Sequence, residues 1–167
     1  MAFSANDVKT LRELTGAGML ECKKALEASK GDLEKARETL KKKGFSDAAK
    51  RADRATAEGV VHAYIHHNNR VGVLVELNCE SDFVARTDDF LNLAQQIGLQ
   101  IAGASPLYVS QEEMPAGSTD DPKSACLLLQ PFIRDESMTI QDLLAQTISK
   151  TGENIRVRRF ARFELGQ

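Results

Sequence analysis

The sequence predicts an α+β fold: an N-terminal bundle of three helices, then an α+β core whose antiparallel sheet packs against helices. Three observations predict it. Apolar residues recur at helical spacing as far as about residue 57 and in alternation from Glu58 onward. Gly and Asp residues divide the first part into short pieces. Two alternating, β-branched runs flank an Asn-rich segment, which is the signature of a hairpin. The organisation that follows is a bundle over residues 1–45, a helical linker over 46–57 and a core over 58–167.

Ser4 with Asp7 three residues later starts the first helix in capping-box style, and Val8, Leu11 and Leu14 share a face. Gly16 and Gly18 break it. The second helix turns Cys22, Ala25 and Leu26 inward, and Lys30-Gly31 stops it. Asp32 caps a third helix with Leu33, Ala36 and Leu40, and Gly44 follows its basic end. Ser46 is read as the cap of a fourth, polar helix reaching about Ala55. Met19 and Leu20 are large apolar residues at a helix start. So small a core has room for one of them beside Cys22 and Leu26, and the other then faces a partner.

In the core, Val60–Ile65 and Val71–Leu77 form a hairpin around Asn68-Asn69, with His67 opposite Arg70. One face then carries Val60, His62, Tyr64, Val71, Val73, Val75 and Leu77. The other carries Val61, Ala63, Ile65, Leu74 and Glu76. Both faces are largely apolar, so helices cover one, and another layer or subunit covers the other. Thr87 caps a helix from Asp88 to about Ala102 that buries Phe90, Leu91, Ala94, Ile97 and Ile101, and Pro106 ends it. Residues 110–124 read as a mobile polar loop. Thr139 and Asp142 open a helix with Ile140, Leu143, Leu144 and Ile148, which Gly152 closes. From Ile155 to Leu165 the chain alternates. Ile155, Val157, Arg159, Ala161, Phe163 and Leu165 share one face, and Arg156, Arg158, Phe160, Arg162 and Glu164 the other.

Composition narrows the function. The net charge is -2, with 22 Lys+Arg against 24 Asp+Glu, which excludes a generally basic nucleic-acid binder. Residues 58–167 are the acidic part, so the Arg156–Arg162 strand reads as paired to local acids more readily than as a phosphate track. No apolar run is long enough for a bilayer. The N-terminus lacks the pattern of a signal peptide. Three widely spaced cysteines point to a reducing cytoplasm and not to a disulfide framework.

Catalytic and metal chemistry find little support. His62, His66 and His67 lie on a strand, where His62 and His66 stand about 13 Å apart and His66 and His67 point opposite ways. Glu80 and Asp82 raise a nearby thiol's pKa, so Cys79 reads as structural and not as a nucleophile. There is no phosphate-binding Gly-x-x-x-x-Gly-Lys-Ser/Thr loop. The informative stretch is Cys79–Arg86, a turn between strand and helix. Phe83 beside Asp82 is there either a buried anchor next to a helix cap or, if exposed, a wedge for another protein's pocket.

Three segments carry a family resemblance. Leu14 to Leu26 (LTGAGMLECKKAL), Leu77 to Ala85 (LNCESDFVA) and Gly152 to Phe160 (GENIRVRRF) are similar, in order, to three signatures of translation elongation factor Ts. Ser81 stands where the family usually has Thr. The resemblance implies a guanine-nucleotide exchange factor for the GTPase elongation factor Tu in polypeptide elongation. It implies binding alone, with no covalent step, no cofactor and no metal of its own. The bundle would be ubiquitin-associated (UBA)-like, and the core would be a dimerisation domain that pairs with a twin. Ser81, Asp82, Phe83 and Val84 would push in near the GTPase's Mg²⁺, with the ring between its side chains. Met19 and Leu20 would make the N-terminal domain's contact. The protein would be cytoplasmic, with no membrane contact and no direct nucleic acid.

Two departures stand out. Residues 115–126 are shorter than the family pattern, as though a helical piece were missing. Ala161 stands where some short members carry Cys, so no intersubunit disulfide is expected there. The alternatives are a protein-interaction module without exchange activity and an RNA-binding accessory protein.

Overall fold

Ser4 and Asp7 exchange capping bonds at the start of α1 (Ala5–Thr15): the Asp7 carboxylate accepts the Ser4 N–H at 2.6 Å and the Ser4 hydroxyl accepts the Asp7 N–H at 3.2 Å. This is a computed structural model, and it describes residues 3–166. Gly16, at φ 67, closes α1, and α2 (Met19–Ala28) follows. Lys30 and Gly31 reverse the chain at positive φ, and the Asp32 carboxylate accepts the Lys35 N–H to open α3 (Leu33–Arg51). Val8, Leu11, Cys22, Ala25, Leu26 and Ala36 form the bundle's small core.

Leu14 does not join that core and is 54% exposed. The stripe Val8, Leu11, Thr15 follows i, i+3, i+7 more closely, and Thr15 is buried with its hydroxyl donating to the Leu11 carbonyl at 2.6 Å.

Helix α3 runs unbroken for 19 residues, so Gly44 ends nothing and no separate helix starts at Ser46. Gly44 lies instead where α3 crosses the helix Ile140–Thr151, and a Cβ there would sit 3.6 Å from the Ala145 carbonyl oxygen. Ala36 belongs to the bundle core, and Ala48 packs against the main core. Polar ties run the length of the crossing. Lys41 pairs with Asp142 at 2.9 Å, the Ser149 hydroxyl donates to Asp47 at 3.1 Å, and Arg37 donates to Ser137 at 2.5 Å.

Two strands follow, β1 (Glu58–Ile65) and β2 (Val71–Cys79), then the one-turn helix α4 (Asp82–Ala85) and α5 (Asp88–Ala104). After these come a second one-turn helix α6 (Pro122–Ala125), a short hairpin of β3 (Pro131–Phe132) and β4 (Asp135–Thr139), α7 (Ile140–Thr151) and β5 (Ile155–Glu164). The sheet is antiparallel with order β1-β2-β5.

The hairpin register is the expected one, with Ile65 opposite Gly72 and His62 opposite Val75. The turn differs from the expected two-residue form. His66 N–H donates to the Val71 carbonyl, Asn69 N–H donates to the His66 carbonyl at 2.8 Å, and only Asn69 takes positive φ. The Asn68 side chain accepts the Arg70 N–H, which stabilises the longer loop.

Strand β5 corrects the sequence reading more deeply. Glu76 faces Arg159 but Leu77 faces Val157, so Arg158 is an extra residue in a β-bulge. The bulge reverses the alternation. Ile155 and Val157 point inward, but beyond Arg158 it is Phe160, Arg162 and Glu164 that face the helices. Ala161, Phe163 and Leu165 go to the outer face, together with Arg159.

The inner sheet face meets α5 and α7. Val73, Val75, Leu77, Phe90, Ala94, Ile97, Ile101, Ile140 and Ile148 are buried together, while Leu91 of α5 faces solvent. Gly98 permits the close approach, since a Cβ there would sit 2.8 Å from Tyr64 Cβ. Buried Gln100 bonds to Gln130, the Pro131 carbonyl and the Ile133 N–H, and so stitches α5 to the β3–β4 hairpin. The 110–124 segment is not an open loop. It holds a 3₁₀ turn at Gln111–Glu113 and α6, and Glu113 accepts the Val109 N–H at 3.0 Å. Among the described residues nothing covers the outer sheet face, and Val61, Ile65, Leu74, Phe163 and Leu165 are exposed on it. Among the described residues, no helix is long and apolar enough to cross a membrane.

Candidate functional site

Strand β2 delivers the chain to a sharp bend at Glu80-Ser81. Ser81 is the N-cap of α4, in extended backbone, and its hydroxyl accepts the Val84 N–H at 3.4 Å. Val84 is half-buried and packs on the main core, and Ala85 is buried. Beneath the bend, the buried Cys79 thiol donates to the Ser81 carbonyl at 3.1 Å. The far end is equally constrained. Thr87 N–H and hydroxyl both donate to the Val84 carbonyl, and the same hydroxyl accepts the Phe90 N–H to cap α5.

On this clamped turn Phe83 projects outward with 80% of its surface exposed. Of the two readings open in the sequence, the ring is not a buried anchor; Val84 and Ala85 are the anchors. Asp82 is half-buried and pairs with Arg86 at 2.9 Å, one turn on. Ser81, Asp82, Phe83 and Val84 therefore form one rigid feature: a cap, an acid, a free aromatic and an apolar root.

Met19 and Leu20 open α2 just past Gly18 and are 53% and 63% exposed. Neither enters the bundle core, although the sequence reading placed one there. Cys22 and Leu26 complete that side of the core without them. Met19-Leu20 on the bundle and Phe83 on the core thus both face solvent.

Sequence reasoning assigned no role to Glu153, although Gly152-Glu153-Asn154 belongs to a quoted signature. Its carboxylate accepts the N–H groups of Glu80 and Ser81 at 3.1 and 3.0 Å and the Ser81 hydroxyl at 2.5 Å. Glu80 in turn accepts the Asn154 N–H at 2.6 Å. The same loop grips the end of α3. Arg51 donates to the Gly152 carbonyl, and the Asn154 side chain donates to the Arg54 carbonyl at 2.8 Å. A carboxylate 72 residues away in sequence leaves no local spacing signal.

Other candidate chemistry is built into the scaffold. Burial, and then the Glu153 charge, push the Cys79 thiol up to about 11, so it is a poor nucleophile near neutral pH. His62 bonds to Gln95 at 2.8 Å and His66 to Tyr64 at 3.1 Å. The His66 and His67 rings lie 4.2 Å apart because the chain is already turning there. Among the described residues no group of three or more His, Cys, Asp or Glu side chains is placed to hold a metal ion. Arg159 pairs with Glu76 and Arg162 with Glu164, both at 2.7 Å.

Comparison with known proteins identifies the family. A model of the family described as "Elongation factor TS" matches residues 3–125. The elongation factor Ts of Carboxydothermus hydrogenoformans is 48% identical over 190 positions, covering 96% of this chain and 88% of its own. That of Thermotoga neapolitana is 47% identical over 195 positions, covering 100% and 99%. That of Coprothermobacter proteolyticus is 48% identical over 197 positions and covers both chains fully. The 195-position alignment exceeds the 167 residues of this chain by 28, so these relatives hold segments with no counterpart here. With a family model across both the bundle and much of the core, and whole-length relatives at nearly half identity, the chain belongs to the elongation factor Ts family of translation elongation factors.

Proposed function

We propose that the protein speeds GDP release from the GTPase elongation factor Tu, and that it does so by binding alone. The observation that carries the reading is the exposed Phe83 ring on a turn held at both ends. A ring offered this way enters a partner's pocket at little ordering cost. In the GTPase, Mg²⁺ bridges the nucleotide phosphates to the protein and demands near-octahedral geometry. Insertion of Phe83, with Asp82 competing for nearby donors, displaces groups around that ion and lowers nucleotide affinity. Ser81 orders the turn and Val84 roots it. Met19 and Leu20 make a second contact from the bundle (residues 1–45), which holds the core (58–167) against the GTPase. The reading places the protein in the cytoplasm, where elongation occurs.

Coupling of this kind is reciprocal: the factor by which the protein weakens nucleotide binding is the factor by which nucleotide weakens the complex. Incoming nucleotide therefore expels the protein, and no covalent step or cofactor enters. The ion pairs of Arg159 and Arg162 tell against the strand as an RNA track.

A second copy of the chain is the proposed cover for the outer sheet face. Val61, Ile65, Leu74, Phe163 and Leu165 form a contiguous apolar surface of the kind that two sheets bury face to face. Ala161 lies on that face and offers no thiol for a crosslink.

The deciding experiment is release of labelled GDP from purified elongation factor Tu with and without the protein. Faster release, with a complex that GDP dissolves, supports exchange. An unchanged release rate refutes it, and a complex insensitive to GDP marks a plain interaction module.

A further inference from the structure

The turn that carries Phe83 is completed from elsewhere in the chain. A one-turn helix has almost no backbone bonds of its own, and its first N–H groups point outward unmet. In a capping box the N-cap hydroxyl takes the N3 amide, and a polar side chain at N3 takes the N-cap amide in return. Ser81 performs its half with Val84. Val84, at N3, has no oxygen to return and is turned onto the core. Glu153 supplies the missing half from the loop that enters the neighbouring strand, β5, beside the end of β2. One carboxylate oxygen accepts the N–H groups of Glu80 and Ser81, and the other accepts the Ser81 hydroxyl.

Glu153 is itself fixed. Gly152, at φ 78, ends α7 and turns the chain so that Glu153 meets the bend. The neighbouring Asn154 N–H donates back to the Glu80 carboxylate. Four bonds thus button the loop before β5 to the bend after β2. Bonds to a charged acceptor are about twice as strong as neutral ones.

We propose that Glu153 is a positioning residue: acting through Ser81, it sets the direction in which the Phe83 ring leaves the protein, and so sets the maximal rate of nucleotide release. This rests on the exchange reading above. The ring contacts the partner; Glu153 decides where the ring is. Loss of the carboxylate leaves Met19 and Leu20 untouched, so affinity for the GTPase falls less than the maximal rate does.

The test compares Glu153→Ala and Glu153→Gln with the wild-type chain in GDP release at rising protein concentration, with melting temperatures measured alongside. A glutamine turned with its oxygen toward the two N–H groups and its amide toward the Ser81 hydroxyl retains all three contacts without the charge. The expected order of maximal rates is wild type, then Gln within about threefold, then Ala lower by about tenfold or more. The half-saturating concentration should move by less than about threefold. Hydrogen exchange at the Ser81 and Glu80 amides should accelerate in the Ala variant. Ser81→Ala should then add little to Glu153→Ala, because both act through one turn.

A folded Glu153→Ala variant with the wild-type maximal rate overturns the proposal. So does a Gln variant as impaired as Ala, or a loss wholly explained by a lower melting temperature. If the wild-type protein does not speed release at all, the exchange reading fails instead, and the two failures are told apart by that control.

Discussion

Replacing Phe83 with Ala isolates what the ring does for the free protein from what it does in a complex. The ring is 80% exposed. A Phe side chain offers roughly 200 Å², so about 40 Å² is covered in the free protein, worth about 1 kcal/mol at roughly 25 cal/mol per Å². Alanine at a helix start offsets part of that through its propensity. The melting temperature should therefore move by no more than about 2–4 °C. Burial of the remaining 160 Å² or so in a partner pocket is worth about 4 kcal/mol, within the range of an interface hot spot. At about 1.4 kcal/mol per tenfold, the ceiling is nearly a thousandfold. Stopped-flow release of a fluorescent GDP from elongation factor Tu, across a range of protein concentrations, reads this as the second-order stimulation. The expected loss is about 100-fold or more. A variant that melts like the wild type and stimulates release within about twofold of it refutes the wedge.

Four further outcomes follow from the same structure. Gly44→Ala should raise stability by about 0.5–1 kcal/mol in denaturant titration, since the site is helical and a Cβ meets only ordinary contact at 3.6 Å from the Ala145 carbonyl oxygen; a destabilised variant would show that the crossing with α7 has no room for the methyl group. Phe163→Asp should turn a dimer into a monomer in sedimentation, and a wild-type chain that is monomeric at all concentrations ends the proposal for the outer face. Cys22, Cys79 and Cys126 are buried, so a thiol reagent at pH 8 should react with none of them rapidly until the protein is denatured. The fold favours the neutral Cys79 thiol, whose pKa is raised from 9.0 to about 11. That contribution is intact below about pH 9 and is lost as pH rises toward about 11, so stability should decline across that window.

What was legible in the sequence was what the chain decides locally. Ser4 with Asp7 and Thr139 with Asp142 both form reciprocal capping boxes, because three-residue spacing is enough to make them. The β1–β2 register was legible because alternation puts Val73, Val75 and Leu77 on one face and Asn68-Asn69 marks the centre of the reversal, although the turn there is longer than two residues. Features set by a distant neighbour were not. Gly44 looks like a helix stop until α7 lies against it. Arg158 looks like one more alternating residue until its pairing with β2 makes it a bulge. Of the candidate site, Ser81–Val84 was found from the signature, yet the cap and the apolar root had to be seen in place before Phe83 could be read as free. Glu153 was invisible in its role because Val84, and not a polar residue, occupies the position where a local partner would stand.

Helix α3 has a consequence of a different kind. Nineteen residues make a rod of about 28 Å. One end carries the bundle with Met19 and Leu20, and the chain at the other is bonded to the loop that steadies Phe83. The gap between the two exposed apolar points is therefore built into the unbound molecule. For the partner proposed here, a GTPase conformation whose two receptive sites lie at that separation is engaged at both ends without any segment having to fold first. A conformation with those sites nearer together or farther apart offers one foothold at a time.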